Sequence, residues 1–127
     1  MNLVEVVKFI HFLIDIILTT YIFIFSPIYD IYYSGFLLIQ TLHWASLKNE
    51  CIITYIEKLL LDPTYELGSD IKYQPHTETY YNEITLFMKA ILIIGTLTVI
   101  IYRTKNKYAK IFAALAIVLW IYLTYFY

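Results

Sequence analysis

The chain gives its backbone few places to turn, with three glycines and three prolines in 127 residues, so most of it must run as long uninterrupted elements. A single cysteine, Cys51, excludes an intramolecular disulfide and any dithiol redox mechanism, because exchange within one chain needs a resolving partner. No concentration of positive charge is present either. Nine Lys and Arg against ten Asp and Glu give a net charge of −1, which argues against nucleic acid as a partner, since phosphate binding relies on clustered cations. Only one of those nine cations is an arginine; with abundant Ile, Tyr, Phe and Asn this is the bias of A+T-rich codons and says nothing about chemistry. No nucleophile motif, phosphate loop or paired redox cysteine stands in the sequence.

What is present is apolar. Hydrophobic residues make up 61% of the chain and the mean hydropathy is +0.67, outside the range of soluble globular domains, so the chain needs lipid as solvent. The expected fold is all-α: a single membrane domain over 1–127, an integral membrane four-helix bundle with one long polar loop between helices two and three. The expected helices cover about 6–26, 31–61, 84–102 and 111–127. The first run is closed by Ser26-Pro27 and is long enough to span the roughly 30 Å hydrocarbon core. It outruns a signal-peptide core and lacks a small-x-small cleavage site, so it reads as an uncleaved helix.

The second run carries Gln40 and His43 and is predicted to continue past the bilayer as an amphipathic extension. Ile52, Ile53, Ile56, Leu59 and Leu60 recur there at helical spacing, with Glu50, Thr54 and Glu57 on another face. Residues 62–83 are polar, with turn signals at Asp62-Pro63, Gly68-Ser69 and Gln74-Pro75. The third run holds Lys89 near its start and Gly95 at its centre, and the fourth carries a small-residue patch at Ala113, Ala114 and Ala116. Tyrosines gather at the run ends (Tyr29, Tyr32, Tyr33, Tyr80, Tyr81, Tyr102, Tyr108 and Tyr122), as aromatic belts do.

Four antiparallel helices bring the start of the first, the end of the second and the start of the third to one side of the membrane. His11, Asp15, His43, Glu50 and Lys89 then share a leaflet, with the two histidines and Lys89 roughly 8 Å inside the boundary and Asp15 roughly 14 Å. Intramembrane ionisable groups face the bundle interior, pair, or line water. His11 and Asp15 lie one turn apart, and His43, Glu50 and Glu57 recur every seven residues, so two polar stripes could meet. Imidazoles and carboxylates so placed suit a divalent metal or a proton relay. The plain alternative is that His11, His43 and Lys89 snorkel and Glu50 and Glu57 stand beyond the bilayer. Asp15 is too short to reach water from its depth. Cys51 reads as a small apolar filler, with palmitoylation or an intermolecular disulfide as its reactive alternatives. His76, alone in the polar loop, reads as solvated.

Residues His43-Trp44, Asn49-Glu50-Cys51 and the stretch Cys51-x-x-Thr54-x-x-Glu57 carry a resemblance. A His before C-x-x-T-x-x-E at a transmembrane helix end resembles a bacterial membrane family of unknown function, and H-W-x-x-L-K-N-E-C resembles small uncharacterised multi-pass membrane proteins of large DNA viruses. The resemblance covers about an eighth of the chain and implies a viral or bacterial membrane relative without an activity. The bacterial pattern has Pro after the Cys, where this chain has Ile52.

The leading expectation is a non-enzymatic membrane protein that assembles with other membrane proteins or shapes a membrane, with the lipid bilayer, other membrane proteins or further copies of itself as its partners. The alternatives are an oligomeric ion or proton channel lined by His11, Asp15 and His43, and a metal-dependent membrane enzyme using His11, Asp15, His43 and Glu50. Conductance in liposomes separates the second from the first; stoichiometric metal identifies the third. No organic cofactor is expected. The connection 103–110 carries Arg103, Lys105, Lys107 and Lys110 with no acid, which by the positive-inside rule makes it cytoplasmic, with both termini and 62–83 on the far side. Cysteine-accessibility labelling checks this: positions 69 and 106 are expected to label from opposite faces, and labelling from the same face overturns it.

Overall fold

The computed structural model describes residues 2–127, and among them the structure is helical throughout, with no strand. Helix α1 spans Leu3–Ile24, α2 Asp30–Ser46, α3 Ile52–Leu61, α4 Pro75–Tyr80, α5 Glu83–Arg103 and α6 Lys107–Ile121. A 3-10 turn at Pro27–Tyr29 joins α1 to α2, and a π-turn at Tyr122–Phe126 prolongs α6. Asparagines start three of the helices. Asn2 and Asn82 each close a reciprocal capping box, with Glu5 and Thr85, and the Asn106 side chain accepts from the N–H groups of Tyr108 and Ala109.

Three helices are long and apolar enough to cross a membrane: α1, α5, and α6 with its π-turn. At 17 residues α2 rises ~26 Å, just under the hydrocarbon thickness, and lies beside them. It packs against α6, α6 against α5, and α5 against α1. Ala109, Ala113 and Ala116 are fully buried and let α6 come close to its neighbours; Ala114, expected in the same patch, faces outward. The core joins Leu18 and Tyr21 of α1 to Tyr33 and Leu37 of α2 and Ile93, Leu97 and Ile100 of α5. Large apolar side chains such as Phe23, Phe36, Ile39, Phe87, Ile91 and Val118 stay exposed, as lipid-facing positions are.

Two expectations are corrected. The single helix over 31–61 is broken: α2 stops at Ser46, Lys48 and Asn49 take left-handed φ values of 56° and 62°, and the chain turns back before α3 begins. Helical spacing of apolar residues persists through such a break because each piece keeps its own buried face. The seven-residue recurrence of His43, Glu50 and Glu57 is therefore not one stripe. Nor is 62–83 a free loop, since it contains α4 and is folded down with α3 onto the start of α1.

Opposite this cap, Arg103 makes a two-pronged ion pair with the fully buried Asp30, Nη2 to Oδ1 at 2.6 Å and Nε to Oδ2 at 2.9 Å, and Tyr21 donates its hydroxyl to the same carboxylate at 2.6 Å. Arg103, read from sequence as part of a basic connection, thus ties α5 to α2 and α1.

The cap has one backbone requirement of its own. Gly68 sits at φ +80°, and a Cβ there would meet the Lys48 Cβ at 2.8 Å. Gly68→Ala is expected to cost about 1–3 kcal/mol in thermal or denaturant unfolding. Gly95, with open space around it, should accept Ala with a small gain of up to ~1 kcal/mol. Equal behaviour of the two variants would show that the cap is not folded as described.

Candidate functional site

The turn that breaks the second helix builds the site. Asn49, a residue that tolerates left-handed backbone, donates its side-chain N–H to the Leu123 carbonyl at 2.7 Å and so anchors the turn to the end of α6. His43 Nε2 accepts the Ile52 N–H at 2.9 Å and caps α3, whose N-cap residue is Cys51. Glu50 is buried beneath the cap. It pairs with Lys58 and accepts from the Tyr65 hydroxyl at 2.9 Å and the Gly68 N–H at 2.8 Å. Lys58 also donates to the Asp70 carbonyl and stands over the Tyr65 ring. Burial alone would push the Lys58 ammonium down, but Glu50 and Tyr65 outweigh it and hold its pKa above the ordinary value. This hub holds residues 62–70 against α3.

With the cap in place, six ionisable side chains from α1, α3, α4 and α5 form one chain. Lys89 Nζ lies 3.0 Å from Asp15 Oδ2, which also accepts the Tyr81 hydroxyl at 3.0 Å and faces His76 Nε2 at 3.4 Å. His76 Nδ1 lies 3.6 Å from Glu57 Oε2; Glu57 Oε1 is 3.0 Å from His11 Nδ1; and His11 Nε2 is 3.9 Å from the Cys51 sulfur. The His11 and His76 rings stack at 3.6 Å, with 25° between their planes. His11, Asp15, Glu57 and His76 are at most 5% exposed. One face of the chain opens on a cavity of about 610 Å³, lined among others by His11, Asp15, Cys51, His76 and Lys89.

The electrostatics outside the candidate membrane spans follow from these contacts. Burial would raise the Cys51 thiol, yet the His11 ring, with the Thr54 and Ile53 N–H groups at the open end of α3, holds it below its ordinary value. Glu57 behaves alike: burial would raise its carboxyl, and His11 and His76 hold it down. The Tyr81 hydroxyl is pushed up, first by burial and then by the Asp15 carboxylate, so it stays a donor.

Of the residues singled out from sequence, His11, Asp15 and Lys89 come together, and Asp15 is paired with Lys89 across α1 and α5. Glu50 is buried nearby but belongs to the hub under the cap, and His43, half-buried, serves α3 as a cap. Of the motif Cys51, Thr54 and Glu57, the first and last join the chain of ionisable groups and Thr54 is buried between them on α3. His76, expected to be solvated, is 2% exposed and stacked on His11. Its sequence signal was slight: Pro75 before it marks a helix start, which is where the short α4 begins.

His11, Glu57 and His76 form a buried group that could hold a metal, with one ligand atom from each within 4.8 Å of the others. Glu57 Oε2 and His76 Nδ1 have no hydrogen-bond partner among the described residues. The 3.0 Å separation from His11 and the 3.6 Å separation from His76 run to the two different oxygens of Glu57. The stacked rings, however, cannot both aim in-plane lone pairs at one ion, so metal binding requires them to swing apart. No protein-family model, curated protein or solved structure matches the chain.

The Asp15–Lys89 pair generates a stability test. Asp15→Leu leaves the ammonium, only 18% exposed, without its carboxylate and should cost about 3 kcal/mol or more, whereas Asp15→Leu with Lys89→Leu should recover most of the loss. Thermal unfolding in detergent measures it. A single variant as stable as the parent would remove the pair from any structural account.

Proposed function

We propose that this chain is a membrane enzyme that uses Cys51 as a nucleophile toward an electrophilic carbonyl at the membrane interface. The observation that carries the reading is the linear order Cys51 Sγ, His11 Nε2, His11 Nδ1, Glu57 Oε1, with gaps of 3.9 and 3.0 Å, opening on a ligand-sized cavity. Glu57 accepts from Nδ1–H and fixes the tautomer that leaves Nε2 free as a base. Cys51 yields its proton to Nε2, and the helix N-terminus favours the resulting thiolate. The N–H groups of Ile53 and Thr54, near that sulfur, are suited to steady an oxyanion. His76, Asp15, Lys89 and Tyr81 position Glu57 from behind, in a chain whose charges compensate one another. An assembly protein or structural bundle has no need of such an order, which is why this reading replaces the non-enzymatic role suggested by composition.

In this reading α2 completes a four-helix membrane domain, the cap and the site face away from the cytoplasm, and 103–110 is cytoplasmic. The second reading, a divalent-metal centre on His11, Glu57 and His76, is favoured by the two unpartnered atoms Glu57 Oε2 and His76 Nδ1. A metal there would act as a Lewis acid beside the same cavity.

Alkylation of Cys51 by iodoacetamide in purified, detergent-solubilised protein separates these readings. A thiol held below its ordinary pKa stays ionised to lower pH, so the alkylation rate should fall only below the usual midpoint of about 8.5. His11→Gln should return the midpoint upward and slow the reaction at pH 7 by tenfold or more, and Glu57→Gln should do so less. A thiol inert in the folded protein and reactive only after unfolding overturns the nucleophile. Stoichiometric zinc that protects Cys51 and is lost in His76→Ala supports the metal instead.

A further inference from the structure

The lining of the cavity is of two kinds. It includes the ionisable side chains of His11, Cys51, His76 and Lys89, and also Leu18, Leu37 and Ile93, all in the buried core of the bundle. Leu18 is seven residues, roughly 10 Å, beyond His11 on α1, so the lining reaches from the polar centre into the apolar stretch of that helix. A volume of about 610 Å³ is that of a site for a small organic molecule, well above what one or two waters need. Trp44, whose buried indole N–H has no partner among the described residues, stands in the same wall. A polar donor without a partner, lining the same cavity as a thiol and a set of apolar core side chains, suits a molecule with a hydrogen-bond acceptor at one end and a hydrocarbon chain at the other.

We infer that the cavity takes a single acyl chain presented as an oxygen ester, with the carbonyl at Cys51 and the chain running toward Leu18, Leu37 and Ile93. The inference rests on the nucleophile reading above and adds the substrate class to it. In the first step the Cys51 sulfur bonds to the acyl carbon, the ester C–O bond breaks, and His11 passes the thiol proton to the departing alkoxide, giving an S-acyl protein and an alcohol. In the second, water attacks the thioester with His11 taking its proton, the C–S bond breaks, and a carboxylic acid leaves as the thiol is restored. No oxidant, reductant or further co-reactant is needed. A soluble acyl group without a chain would leave the apolar walls unfilled, so chain length should matter.

The test uses para-nitrophenyl acetate and para-nitrophenyl octanoate with the full-length protein in one detergent, reading nitrophenolate release and, by intact mass, the S-acyl adduct. The octanoyl ester is expected to acylate Cys51 at least tenfold faster than the acetyl ester, and Cys51→Ser to abolish both adducts. Ile93→Trp, which fills the apolar part of the cavity, should lower the octanoyl-to-acetyl ratio by tenfold or more; Ala90→Phe, in the same lining, serves if the first variant does not fold. Using the ratio within each protein cancels partition of the esters into micelles. Acylation of Cys51 by both esters with no chain preference, or a preference that survives both cavity-filling variants, overturns this inference and leaves the nucleophile standing. No adduct at Cys51 from either ester, in protein whose thiol alkylates normally, overturns the ester as substrate; no adduct together with an inert thiol overturns the nucleophile itself.

Discussion

Two consecutive residues with left-handed backbone, Lys48 and Asn49, are the constraint on which the rest of the site depends. Had α2 run on as a straight helix, Glu57 would stand about 16 Å beyond Ser46, away from α1. The turn brings it back against α1. Left-handed backbone costs a lysine roughly 1–2 kcal/mol, and the surroundings offset it several times over. Asn49 is tied to the end of α6, Glu50 to Lys58, Tyr65 and Gly68, and Ile52 to His43. Strain held by many local bonds at the edge of a cavity is the pattern expected where a backbone must present a particular side chain, and in the nucleophile reading proposed above that side chain is Cys51.

The second organising demand is that charge inside an apolar bundle finds its opposite. It is met twice, by Asp15 with Lys89 near the cap and by Asp30 with Arg103 at the other end. The two pairs differ in a way that suits different tasks. Asp30 and Arg103 make a two-pronged, tyrosine-braced contact that fixes three helices. Asp15 is shared among Lys89, Tyr81 and His76, and through His76 it reaches Glu57. A carboxylate with several partners can exchange hydrogen bonds among them as protons move, whereas a bidentate guanidinium pair cannot.

Much of this architecture could be read from the residues. Hydropathy and tyrosine placement locate the apolar helices within a few positions, since lipid imposes length and composition on them directly. Depth alone singled out Asp15 as a group that must be compensated, and Lys89 was the cation available in the same leaflet. Two things escaped. Apolar periodicity cannot distinguish one long helix from two helices joined by a turn that keeps the same faces buried, so the break at 47–51 was invisible, and with it the approach of Glu57 to His11. His76 lies in a polar stretch whose composition matches that of a solvated loop; only folding of that stretch onto α1 buries it. Contacts across 40 or more residues depend on tertiary geometry that no local pattern encodes.

The order of residues along the chain also has a consequence in time. Asp15 lies on α1, while its hydroxyl partner Tyr81 and its cation Lys89 come 66 and 74 residues later. At synthesis rates of about 5–20 residues per second, that is a delay of roughly 3–15 s. During that interval α1 holds a carboxyl group with none of its final partners. For a chain entering a bilayer as it is made, such a helix would have to wait where the group is tolerated, protonated in lipid or in contact with water, until α5 arrives. Release of α1 into lipid would then be coupled to synthesis of α5, and the carboxyl at the centre of the finished cluster would set the moment at which the helices come free together.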